Sequence, residues 1–152
     1  MTIRTTFRAL AALGATLAAA PGHAAQIAAC DQRLEYTLAA PAPGAPAEAR
    51  AFSGVWAGNW AYGAFDESMG PLCAALVVES VEADGTAKVL YIWGKNEDVR
   101  TPGNARHTAR ISGGTLSWAE GRTSYSFRMS GATLNATRRT PEGFESGRLS
   151  KR

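Results

Sequence analysis

The sequence predicts an all-β protein: an eight-stranded antiparallel up-and-down meander closed into a small barrel, preceded by an N-terminal arm. Three observations carry this expectation. From about Phe52 onward, short runs of alternating apolar and polar residues recur while helical periodicity is absent. Explicit turn chemistry separates the runs: Ala83-Asp84-Gly85, Ser112-Gly113-Gly114, Glu120-Gly121-Arg122, Ser130-Gly131-Ala132 and Pro141-Glu142-Gly143. Eight strands in hairpin order also leave two exposed edges unless the first pairs with the last. Closure removes those edges and leaves an interior just wide enough for side chains or one small ligand. A flatter sandwich is the alternative.

The chain opens with a secretory signal pattern over residues 1–24. Arg4 and Arg8 precede an apolar run from Ala9 to Ala20, and Gly22-His23-Ala24 is a small-x-small cleavage pattern. The run is about a dozen residues, short of the roughly 20 that span a bilayer as a helix. A soluble periplasmic or secreted product is therefore expected. Ile27-Ala28-Ala29-Cys30 also has the form of a lipobox, giving a lipoprotein anchored at Cys30 as the alternative. Against it, Pro21, Gly22, His23 and Gln26 separate the cysteine from the apolar run, and lipidation would strand Cys73 as a lone thiol.

Residues 25–51 are read as arm and linker. Ile27, Leu34, Tyr36 and Leu38 are the arm's apolar residues, and the Pro/Ala-rich stretch 39–49 reads as an extended tether without a core of its own. The barrel domain occupies residues 52–152, roughly 100 residues and enough for one modest core. Its strands are expected near 54–62, 73–81, 86–93, 105–112, 115–120, 123–129, 133–139 and 143–149.

Alternation assigns faces. Tyr125, Phe127 and Met129 point in while Ser124, Ser126 and Arg128 point out; Leu116 and Trp118 oppose Thr115, Ser117 and Ala119. Ala105, His107, Ala109 and Ile111 share one face, opposite Arg106, Thr108 and Arg110, so His107 lies inward or at a rim. The second and third strands break the pattern. Leu76 and Val78 share one face, Cys73, Ala75 and Val77 the other, and Tyr91-Ile92-Trp93 is apolar on both sides, so this hairpin needs an outer cover. Glu79 shares the parity of Cys73, which therefore faces out. Cys30 and Cys73 are the two cysteines, and an exported chain favours their pairing. That disulfide would pin the arm over the apolar hairpin; a weak dimer through residues 73–93 is the competing cover.

The stretch Gly54-Val55-Trp56-Ala57-Gly58-Asn59-Trp60-Ala61-Tyr62 sets two indoles on one face with Gly58 between them. Either a bulky side chain from across the barrel fills that place or a slot remains for a ligand. The inward parity belongs to Trp56 and Trp60, because the opposite set is small and mixed.

Charge narrows the function classes. The chain carries 16 basic and 13 acidic residues, but removing Arg4 and Arg8 with the leader leaves 14 against 13. Nucleic-acid binding, which needs a surplus of cations, is disfavoured. The charge is polarised: residues 26–99 are acidic in balance and residues 100–152 basic. Pairing between the halves explains this, and a basic wall for an anionic ligand is the alternative.

Gly54-x-Trp56 on the first strand of an eight-stranded meander resembles the lipocalin and avidin (calycin-like) superfamily, in which such a tryptophan closes the barrel bottom. The fuller pattern of residues 52–94 resembles a small domain of exported bacterial proteins without an established activity, sometimes found beside a hydrolase domain. A third similarity is to periplasmic metalloprotease inhibitors, secreted barrels with one disulfide and a flexible N-terminal arm. That resemblance implies an arm free to enter a protease cleft.

No catalytic activity is expected. No G-x-S-x-G elbow, phosphate loop or HExxH motif occurs. Asp66 and Glu67 are adjacent in a loop, whereas a glycosidase pair must flank one bond. His107 with Glu97 or Asp98 would be an acid/base couple only if tertiary structure joined them. Without CxxC or a Cys/His cluster, no metal site and no cofactor are expected. The expected function is an exported binding or interaction module for a hydrophobic or sugar-like small molecule. Its candidate site is an aromatic mouth of Trp56, Trp60, Trp93, Trp118 and Tyr125, with Arg106 and Arg110 at the rim. A periplasmic protein inhibitor acting through its arm or loop 63–72, an accessory domain of an exported hydrolase and a purely structural envelope protein are the alternatives. Its partner is therefore an unidentified small molecule or an envelope protein.

Overall fold

The computed structural model describes residues 22–61, 70–97 and 99–152. Residues 1–21 of the expected leader, Tyr62, the Asp66-Glu67 pair and Asp98 lie outside the described residues. The elements run in the order β1 (His23–Ala29), β2 (Gln32–Leu38), α1 (Ala47–Arg50), β3 (Gly54–Ala61), β4 (Leu72–Val81) and β5 (Thr86–Trp93), then β6 (Gly103–Ser112), β7 (Thr115–Glu120), β8 (Thr123–Ser130), β9 (Thr133–Thr140) and β10 (Gly143–Lys151). The expected strands are all present.

Strands β3 to β10 form a closed antiparallel barrel in which every strand pairs with its sequence neighbour. Closure comes from β10 pairing with β3, from Ser146↔Ala61 to Lys151↔Trp56. Two-residue connections join β6 to β10 in sequence. At the β6–β7 turn, Gly113 and Gly114 both hold positive φ, 56° and 69°, the backbone that matches the right-handed twist of a tight hairpin. Trp56, Trp60, Leu72, Leu76, Phe127 and Leu134 are among the fully buried side chains of the interior.

The arm is a β-hairpin, β1 paired with β2 in a separate two-stranded sheet. It lies on the outer face of the barrel, where Ile27, Leu34, Tyr36 and Leu38 pack against Ala75, Val77, Leu90 and Ile92. Cys30, at the hairpin tip, is disulfide-bonded to Cys73, with a Cα–Cα distance of 5.4 Å. The outward parity of Cys73 and the need for an outer cover thus meet in one arrangement. A β-bulge at Glu79 adds a second anchor. Its backbone oxygen accepts from Ala39 N at 2.9 Å, and its carboxylate accepts from Thr37 N at 3.3 Å and from Arg106 Nε at 3.1 Å.

The linker departs from the expected extended tether. Ala45 and Ala49 are buried beside Phe52 in the main core, and α1 sits against one end of the barrel. Alanine-rich composition reads as solvated chain, but alanines are small enough to press a short helix onto a barrel floor. Trp56 belongs to this end: its Nε1 donates to Phe52 O at 2.8 Å, and Lys151 Nζ stands 5.1 Å from its ring centroid. Among the described residues, no helix is long and apolar enough to cross a membrane.

Candidate functional site at the rim opposite the helix

The meander sends β3, β5, β7 and β9 out at one rim and brings β4, β6, β8 and β10 in at the same rim. Inward residues near these strand ends therefore converge, though they are far apart in sequence. Trp60, Tyr91, Trp93, His107, Trp118, Tyr125, Arg138 and Glu145 are brought to this end.

Their rings form a continuous stack. Trp118 lies nearly parallel to Tyr125, 4.9 Å away at 13°, to His107, 5.0 Å away at 18°, and to Phe127, 5.3 Å away at 16°. Tyr91 crosses the middle, 5.7 Å from Trp118, 5.5 Å from Tyr125 and 5.7 Å from Trp93. Trp60 Nε1 donates to the Tyr91 hydroxyl at 2.7 Å. Trp60 also packs on Phe127, with ring centroids 6.1 Å apart, so side chains from across the barrel stand beside it. Trp93 and Tyr125 are only partly buried and present ring surface at the rim.

Gly58 has a different reason from the one its sequence position suggests. A Cβ there would collide with the Arg148 carbonyl, and one at Gly147 would stand 2.9 Å from both Asn59 O and Trp60 Cε3. The two glycines allow β3 and β10 to press together where the barrel closes.

An interior ion pair completes the site. Arg138 and Glu145 are register partners, and both point inward, where Arg138 Nη2 donates to Glu145 Oε1. Tyr125 is the register partner of Arg138 on its other side. Burial lowers the guanidinium's affinity for its proton, but the hydrogen bond and charge of Glu145 outweigh this and raise it overall. Burial pushes the Tyr91 hydroxyl well above its ordinary 10.0, against a smaller pull from Trp60. Tyr125 is raised as well, burial again leading and Arg138 opposing. Three buried polar atoms here, Trp118 Nε1, Arg138 Nε and Glu145 Oε2, have no hydrogen-bond partner among the described residues.

The expected site is thus partly assembled and partly dispersed. Trp60, Trp93, Trp118 and Tyr125 are at one rim, while Trp56 lies toward the floor. Residues four apart on a strand are separated by about 13 Å, so Trp56 and Trp60 cannot share a mouth. Arg106 and Arg110 are not at the rim either. Both project from the outer wall, Arg106 to Glu79 and Glu35 O, Arg110 to Asp84 at 3.5 Å. Their parity, opposite to His107 and Ala109, already placed them outside. The sequence reading missed Arg138 and Glu145, although Arg138 shares its parity with Leu134 and Ala136, and Glu145 with Gly147 and Leu149. Compared with protein-family models and with curated proteins, the chain matches none.

Proposed function

We propose that the chain is an exported binding module that holds a small sugar-like ligand at the rim opposite α1. The carrying observation is that Trp118 Nε1, Arg138 Nε and Glu145 Oε2 are buried without partners beside the partly exposed rings of Trp93 and Tyr125. A pyranose offers an apolar C–H face to an aromatic ring and hydroxyls that both donate and accept. A purely hydrophobic ligand would leave the three atoms unsatisfied, at the cost of buried unpaired polar groups.

The eight-stranded barrel is compatible with a calycin-like fold, the basis for reading the chain as a relative of lipocalins and avidins. Trp56, Trp60, Phe127 and Leu134 bury their side chains in the interior, which favours the rim over a deep site. The disulfide is compatible with an oxidising, exported setting. An arm tied down by Cys73, Glu79 and the Gln32 hydrogen bonds to Trp93 O and Gly103 O does not suit insertion into a protease cleft.

Intrinsic tryptophan fluorescence, titrated with mono- and disaccharides and in parallel with long-chain alcohols, tests this. A saccharide should shift the emission, and Glu145→Gln or Tyr125→Ala should weaken the response while leaving the circular dichroism intact. A response confined to the alcohols, or one indifferent to both substitutions, would overturn the reading.

A further inference from the structure

The outer face of β8, β9, β10 and β3 carries a second arrangement that the rim does not use. Cα register aligns Arg128 with Asn135, Asn135 with Arg148, and Arg148 with Asn59. All four side chains point outward and are exposed, so the wall bears an Arg–Asn–Arg–Asn row running across four strands. On one side the neighbouring row is Ser126, Thr137 and Ser146; on the other it is Ser130, Thr133 and Ser150.

Three features separate this face from an ordinary solvated one. The outward positions of β8, β9 and β10 hold Arg128, Arg139 and Arg148 but no acidic residue. None of the three arginines forms an ion pair among the described residues, whereas Arg106, Arg110 and Arg138 all do. The face is also hollowed: a cavity of about 600 Å³ is lined by Asn59, Asn135, Thr137, Ser146 and Arg148, with Pro71 at its edge. It lies directly outside the place where Gly58 and Gly147 bring β3 and β10 together. Beside it, Phe144 is 56 % exposed and pairs in register with Arg139, putting an aromatic face next to a cation.

We infer that this groove binds a linear anionic polysaccharide, lying across the strands along the Arg–Asn row. Two strand spacings separate Arg128 from Arg148, about 10 Å, a repeat suited to carboxylates carried along a sugar chain. Guanidinium groups hold the carboxylates by charge-assisted hydrogen bonds. The intervening amides and hydroxyls exchange hydrogen bonds with the sugar hydroxyls. A single-stranded nucleic acid fits less well, because its bases require several aromatic platforms and, among the described residues, this face offers Phe144 alone. The Arg–Asn row stands on the outer wall, whereas the rim side chains point into the barrel; Trp60 borders the cavity from the rim side.

Affinity electrophoresis of the full chain through gels containing polygalacturonate, neutral dextran or a single-stranded oligonucleotide tests the inference. Polygalacturonate should retard the protein and dextran should not, with the retardation weakening as salt rises. The double variant Arg128→Gln/Arg148→Gln should lose roughly tenfold in affinity, as expected for two charge-assisted contacts. Arg100→Gln/Arg122→Gln makes the same change in net charge off the face and should retain binding. Equal loss in both arginine pairs, stronger retardation by the oligonucleotide, or no retardation by polygalacturonate at low salt overturns it.

Discussion

Arg138 and Glu145 face each other across the β9–β10 ladder inside the barrel, the one ion pair among those described that the strands direct inward. Its side chains are 23 % and 18 % exposed, so water reaches each only at the edge. Removing one partner strands the other charge in a largely dry place. Glu145→Ala should therefore destabilise by about 2 to 3 kcal/mol, while Arg138→Met/Glu145→Leu should stay within about 1 kcal/mol of the wild type. Urea denaturation of the two variants checks this. Equal losses would mean that the pair is solvated and carries no burial penalty.

The arm yields a second prediction. Cys30 and Cys73 close a separation of 43 residues, for which the chain-entropy relation gives about 4 kcal/mol. Cys30→Ser/Cys73→Ser should lower stability by about that amount at most, since Glu79 and Gln32 still hold the hairpin. It should also loosen the cover over Leu90 and Ile92, which are buried beneath the arm. Binding of a hydrophobic dye should rise while the β-sheet circular dichroism persists. An unchanged dye signal would show that the arm stays seated without its covalent tie.

What the sequence revealed and what it hid follow from one rule applied unevenly. Alternation in Tyr125, Phe127 and Met129, and the double-sided apolarity of β4 and β5, was enough to infer barrel, faces and arm. The parity argument from Glu79 to Cys73 even located the disulfide on the outer wall. The rim charges were hidden because Arg138 and Glu145 stand among polar neighbours, where a charged residue reads as solvent-facing by default. Trp56 was misplaced because parity fixes a face but not a height along the strand. The linker was misjudged because alanine composition does not separate a solvated tether from a closely packed cap. Of the polarised charge, Arg106 and Arg110 pair with Glu79 and Asp84 of the acidic half, while Arg128, Arg139 and Arg148 form no ion pair among the described residues.

The buried phenols make stability fall in alkali. Tyr91 and Tyr125 are both raised by burial, so near their ordinary value of 10.0 the unfolded chain gives up these protons before the folded one does. The folded state then binds more protons than the unfolded state, and stability decreases with pH. Their contribution is fully present below about pH 10 and is lost progressively above it. Absorbance at the phenolate band should show these tyrosines ionising together with loss of the near-ultraviolet circular dichroism. All 4 tyrosines titrating as one normal class with the fold intact would contradict their burial.

The glycine between the two indoles supplies the most local test. Gly58 pairs with Leu149 where the barrel closes, and a Cβ there runs into the carbonyl of Arg148, a backbone atom that cannot rotate away. Gly58→Ala must push β3 and β10 apart, disturbing the seam between the first and last barrel strands. A cost at the upper end of overpacking, about 3 kcal/mol, is expected, although alanine is the smallest possible addition. Gly121→Ala is the informative contrast. Gly121 has a positive φ of 57° but nothing near its missing Cβ, so its cost is conformational alone and should be about 1 kcal/mol. Thermal and urea unfolding of the two variants measures both. If Gly58→Ala is the milder change, the closing strands have slack, and Gly58 marks a yielding seam instead of a close contact.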